Sequence, residues 1–148
     1  MEDTLKQAKL KALSLLNHKD RTEVELRQKL KEKGFDEEII EKTIAYVKSF
    51  GYVNDLSYAE RYILNKQNSK SKREIYVALA QRGISKEYIE LAFQMSFESE
   101  SEVEAIRRLC EKKHFSAENS TEVEKQKLYN YLARKGFHSE EIRQVLKV

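Results

Sequence analysis

The 148-residue sequence has no proline, only four glycines (Gly34, Gly51, Gly83 and Gly136) and a single cysteine, Cys110. So few chain breakers favour helices over strands. One cysteine excludes an intrachain disulfide and suits a reducing compartment. No stretch approaches the roughly 18 consecutive apolar residues of a membrane span. Met1 to His18 lacks the apolar run and cleavage site of a signal peptide. A soluble cytoplasmic chain is expected.

Equipment for catalysis is also missing. No two glycines stand close enough to build a phosphate loop. His18, His114 and His138 are far apart, and none is spaced with another histidine or with Cys110 as metal ligands would be. Glu37-Glu38 and Glu140-Glu141 fall where first-turn acids favour a helix dipole. Cys110 lies on an apolar helix face, which fits a buried structural thiol better than a nucleophile. No enzyme, cofactor, metal or small-molecule substrate is expected.

What the chain does have is charge interleaved with apolar residues: 36% are charged and 40% hydrophobic. That is too apolar for a disordered chain, yet thin for one large globule, so small local cores are expected. The net charge of +3 says little about a partner, but its distribution says more. Arg61, Lys66, Lys70, Lys72, Arg73 and Arg82 stand over residues 61–83 against the single acid Glu74, and Lys125, Lys127, Arg134 and Lys135 stand unopposed over 125–135. Glu98, Glu100, Glu102 and Glu104 form an acidic run between them. These are either solvated helix faces or two cationic surfaces for a polyanionic or acidic partner.

Self-comparison organises the chain. Three segments align on a glycine: Glu25 to Phe35, Glu74 to Ile84 and Lys127 to Phe137. In each, an apolar pair spaced by four (Leu26 and Leu30, Ile75 and Leu79, Leu128 and Leu132) marks one helix face. A base (Lys33, Arg82, Lys135) precedes the glycine and suits the negative end of the helix dipole. The glycine then supplies the left-handed residue that ends the helix, with Phe35, Ile84 or Phe137 folding back. Thr22-x-x-Glu25, Ser71-x-x-Glu74 and Thr121-x-x-Glu124 read as capping boxes, the third placed so that its helix is about one turn longer. A new helix follows each glycine, capped by Asp36, Ser85, and His138 or Ser139, and faced by Ile40, Ile89 and Ile142. A further helix precedes each pair, from about Thr4 to Leu16, from near Asp55 and from near Ser101.

The spacing therefore predicts an all-α chain of tandem three-helix repeats, 1–50, 51–98 and 99–148, forming an elongated, curved array with turns at Gly34, Gly83 and Gly136. Joints are expected from Gly51 through Tyr52 to Asp55, and over Phe97 to Glu100.

Several segments in this order resemble the RecX family: Thr22 to Ile40, Gly51-Tyr-Val-Asn-Asp55, Tyr58 to Ile63, and Arg73 to Ile84. The resemblance covers residues 8–95 well and the third repeat more loosely. It implies tandem three-helix repeats in a curved protein that binds the groove of the RecA–DNA filament. Such a protein restrains filament growth, ATP hydrolysis and strand exchange in recombination, DNA repair and the SOS response. One departure stands out: Ser69-Lys70-Ser71-Lys72 replaces the Gly-Pro pair common before the basic helix start. Contacts made by that turn are less safely carried over.

The candidate partner-binding residues are Arg61, Lys66, Lys70, Lys72 and Arg73 in the second repeat and Arg107, Arg108, Lys112 and Lys113 in the third. Cations at a helix start oppose the dipole, so Lys72 and Arg73 call for a reason beyond local stability. Tyr62 and Tyr76 stand at helical spacing and read as core before anchors. The expected partner is the RecA filament, with DNA met directly or through it, and the expected state is a monomer. The alternatives are a direct DNA-binding helical module, or a helical scaffold for an acidic protein.

Overall fold

The computed structural model describes residues 2–98 and 100–148, and among these it has nine helices and no strand. They are α1 (Glu2–His18), α2 (Glu23–Glu32), α3 (Glu37–Ser49), α4 (Asp55–Lys66), α5 (Lys72–Gln81), α6 (Lys86–Ser96), α7 (Ser101–Lys112), α8 (Glu122–Lys135) and α9 (Ser139–Leu146). This is the all-α, three-helix repeat that the glycine spacing predicts. The first helix runs further than expected in both directions. The joint expected over Phe97 to Glu100 includes Ser99, which lies outside the described residues.

The helix ends follow the local signals. All three capping boxes close: Thr22 with Glu25, Thr121 with Glu124, and Ser71 with Glu74, where the Ser71 N–H donates to Glu74 Oε1 (3.0 Å) and the Glu74 N–H to Ser71 Oγ (3.1 Å). The third box does start a longer helix, since α8 has 14 residues against 10 in α2. Gly34, Gly83 and Gly136 have φ of 91°, 85° and 102°. Each closes its helix with a double hydrogen bond; after α5, the Gly83 N–H reaches the Ala80 carbonyl (3.0 Å) and the Ile84 N–H the Leu79 carbonyl (3.3 Å). The same closure recurs at Gly51 and, without a glycine, at His114, whose φ is 56°. At α9 the cap residue is His138, with no side-chain cap hydrogen bond.

By internal packing the chain divides into two compact units, Met1–Glu60 with Leu79–Ala92, and Arg61–Ala78 with Phe93–Val148. The first unit contains a core of Ala12, Leu26, Leu30, Ile40, Ile44, Val47 and Val53. The second contains Ala105, Ile106, Cys110, Leu128, Leu132, Phe137, Ile142 and Leu146. Leu26, Leu30 and Ile40 in the first, and Leu128, Leu132, Phe137 and Ile142 in the second, are the apolar positions read from the spacing, and each fully buried Leu or Ile stabilises by roughly 1.5–3 kcal/mol.

Candidate functional site

The start of α5 carries two of the sequence-predicted cations, Lys72 and Arg73, and the fold occupies both. Ser71 is fully buried, and its hydroxyl donates to the Lys135 carbonyl (2.7 Å) while capping α5. The Lys72 N–H donates to Glu102 Oε1 (3.0 Å). The Lys72 ammonium lies over the rings of Phe93 (5.2 Å) and Phe97 (5.7 Å). The Arg73 guanidinium donates to the Arg134 carbonyl, and its side chain crosses Gly136 so closely that a Cβ there would meet Arg73 Cβ at 2.7 Å. Lys135 pairs with Glu74 (3.0 Å). Burial raises the Glu74 carboxyl, but the Ser71 N–H and Lys135 outweigh it and hold it below its ordinary value.

Lys72 and Arg73 therefore have a structural reason to stand at a helix start. Glu102 is only 4% exposed, and its carboxylate sits on the first turn of α5, where an anion is favourable. It does not belong to a solvated acidic run.

The first unit repeats this construction at α2. The Thr22 hydroxyl donates to the Arg82 carbonyl (2.7 Å), the Glu23 N–H to Asp55 Oδ1 (2.9 Å), and Val24 packs where a Cβ on Gly83 would come within 2.5 Å of it. Desolvation raises the Asp55 carboxyl despite the Glu23 N–H it accepts.

The remaining candidates are more accessible. Arg107, Arg108 and Lys112 are exposed on the outer side of α7, opposite buried Ala105, Ile106 and Cys110. Arg108 pairs with Glu104 at 3.1 Å, whereas among the described residues neither Arg107 nor Lys112 makes an ion pair. Lys113 follows α7, with its ammonium 4.2 Å from the centre of the Tyr131 ring. It lines a cavity of about 300 Å³ together with His114, Phe115, Ser120, Glu124, Lys127, Leu128 and Tyr131. The one carboxylate there, Glu124, accepts from the Thr121 N–H (3.1 Å) in its own cap. Lys113 and Lys127 thus leave a cationic, aromatic-walled cleft, able to take a phosphate or carboxylate oxygen.

In the second repeat Lys70 is exposed, Lys66 is half-buried with its carbonyl accepting from the Lys70 N–H (2.9 Å), and Arg61 is exposed but has a partner. Tyr62 and Tyr76 are half-buried.

Lys127, His114, Phe115 and Tyr131 were not singled out as site residues by sequence reasoning. Lys127 carried a signal in the cationic run over 125–135. The other three had none, because the left-handed turn that presents His114 and Phe115 uses no glycine.

Family models for the first, second and third three-helix domains of RecX match residues 8–46, 54–92 and 100–146. The chain is also 41% identical over 144 residues to the regulatory protein RecX of Caldanaerobacter subterraneus, covering 97% of this chain and 71% of that one. This chain belongs to the RecX family. A second RecX, from Clostridium acetobutylicum, is 37% identical over 150 residues, covering 99% of this chain and 70% of its own length. A crystal structure of a regulatory protein RecX superposes with a TM-score of 0.82 at 28% identity, over 99% of this chain and 72% of that one. The RecX of Lactobacillus salivarius shares the fold at the same TM-score of 0.82 and 24% identity, over 99% and 97% of the two chains. The Caldanaerobacter and Clostridium relatives are named as regulatory proteins, so the family's role is regulatory. No helix among the described residues is long and apolar enough to cross a membrane.

Proposed function

We propose that this RecX-family protein restrains the RecA recombinase by binding the RecA–DNA filament, slowing ATP hydrolysis and strand exchange. The observation that carries the reading is the cationic surface of the third repeat: exposed Arg107 and Lys112 on α7, leading to the cleft of Lys113, Lys127 and Tyr131. Such a surface attracts both DNA phosphates and acidic protein faces, and a nucleoprotein filament presents both. The repeats 1–50, 51–98 and 99–148 act as modules of one binder, Arg61, Lys66 and Lys70 add charge in the second, and Lys72 and Arg73 chiefly hold their own junction. The protein works in the cytoplasm as a monomer, without cofactor or small-molecule substrate.

The test is the rate of ATP hydrolysis by RecA on single-stranded DNA, with and without this protein. The rate should fall; unchanged turnover at saturating protein would remove the reading. A direct DNA-binding module is the second reading, favoured by the same cations. It predicts tight binding to naked DNA that weakens steeply with salt, without a requirement for RecA.

A further inference from the structure

The fold assembles a group of donors on three positions of the second unit that the charge surface leaves unused. Glu102 in the first turn of α7, His138 at the cap of α9 and Glu141 in the first turn of α9 each offer one ligand atom, all within 4.8 Å of one another. We propose that these three residues bind a divalent transition-metal ion, with Zn²⁺ as the fitting ion.

Glu102 brings the first argument. Its carboxylate is almost completely buried; Oε1 accepts from the Lys72 N–H (3.0 Å), and Oε2 lies 2.8 Å from His138 Nδ1. The Lys72 N–H fixes the carboxylate as an outer-shell donor would fix a metal ligand, and a cation entering between Oε2 and His138 Nδ1 would replace the proton they share. Glu141 brings the second. Its Oε2 is buried with no hydrogen-bond partner, and a buried carboxylate oxygen without a donor or cation is costly.

Charge decides what completes the group. A proton on His138 supplies one positive charge against two carboxylates, whereas a divalent ion with neutral imidazole balances both. Lys72 adds positive charge nearby, but its ammonium lies over the faces of Phe93 and Phe97. One imidazole with two carboxylates suits Zn²⁺, while Mg²⁺ and Ca²⁺ prefer all-oxygen shells. Ligand atoms about 2.0–2.1 Å from a tetrahedral ion stand about 3.3 Å apart, so the ion enters by widening the His138–Glu102 contact by about half an ångström. The His138 side chain is 67% exposed, which gives an entry path and leaves a position for water. The bound ion ties α9 to α7 and, through Glu102, to the start of α5.

The experiment is a Zn²⁺ titration of the full chain, first stripped with chelator, followed by calorimetry and by the thermal midpoint. Wild type should take up one ion and melt at a higher temperature with it. H138Q and E141Q should each weaken uptake by roughly tenfold or more, and H114Q, remote from the group, should leave it unchanged. Co²⁺ should give the visible absorption of a low-coordinate site in wild type and lose it in E141Q. Circular dichroism checks that each variant keeps its helices, and should H138Q fail that check, E141Q decides. No uptake by wild type under excess Zn²⁺, or equal uptake by a folded E141Q, would overturn the site. Neither result touches the RecA reading, which is assayed separately.

Discussion

The Ser71 hydroxyl reaches the Lys135 carbonyl at 2.7 Å, and in the other unit the Thr22 hydroxyl reaches the Arg82 carbonyl at the same distance. Both residues cap a helix and fasten it to the glycine turn of the following repeat, at the carbonyl of the base before the glycine. The base recurs at that place for helix capping, while its carbonyl serves the junction. Thr121 caps α8 alone and is exposed. Replacing a capping serine or threonine with alanine costs about 1 kcal/mol, and leaving the part-buried Lys135 carbonyl without its donor adds to that, by up to about 1–3 kcal/mol for a buried group. S71A should therefore destabilise the protein clearly more than T121A in urea unfolding. Equal losses would deny the junction bond any weight.

The glycines should differ in the same way. A Cβ at Gly34 meets nothing within 4 Å, so G34A carries only the left-handed backbone penalty of about 1–2 kcal/mol. At Gly83 the added carbon would stand 2.5 Å from Val24 Cβ, and overpacking adds about 1–3 kcal/mol. Adding V24A to G83A should recover part of the loss in thermal midpoint, and a double variant no better than the single one would refute the close approach.

Acid should erase the contribution of Glu74. Its carboxyl is held below the ordinary 4.5 in the folded protein. The stability it contributes is thus present above that value and fades as the pH falls through the folded pKa. E74Q keeps an acceptor for the capping box but loses the Lys135 pair, which is partly exposed and worth below about 1 kcal/mol. The gap in melting temperature between wild type and E74Q should be open at neutral pH and should close as the pH falls through the lowered folded pKa. A gap that persists in acid would point to packing instead of charge.

For the binding surface, the informative variant reverses Arg107, Lys112 and Lys113 to glutamate together. Helicity should be retained, since all three side chains are exposed, while the amount of protein needed to slow RecA turnover should rise about tenfold or more, as one lost charge-assisted contact implies. Reversing Lys72 and Arg73 is less clean, because it also disturbs the α5 junction. Unaltered inhibition by the triple variant would move the contact away from α7.

Cys110 should behave as a core residue. Burial pushes its thiol up from the ordinary value, so a thiolate-selective alkylating reagent should label it slowly in the native protein and quickly in denaturant. Equal rates would contradict its place in the second core.

Helices, turns and apolar stripes were legible before any coordinates because their signals are local. A capping box spans four residues, a glycine closure six, and a stripe repeats every turn, so Thr22, Gly83 and Ile142 declare their roles to near neighbours. Reading failed where the signal was not the expected residue, as at His114, which adopts the left-handed turn without being glycine. It also failed where a charge met a distant partner. In the sequence Glu102 is one of an acidic run open to a solvated reading, and Lys72 and Arg73 call for a reason beyond local stability.

Composition and spacing alone determined the helical class, the three repeats, their turns and their membership in an ordered family pattern, since backbone preferences and periodicity act over a few residues. Tertiary structure alone decided that Thr22 meets Arg82 across 60 residues, Ser71 meets Lys135 across 64 and Glu102 meets His138 across 36. Those encounters depend on how buried stripes pack one helix against another, and no local rule carries a side chain's direction over such a distance.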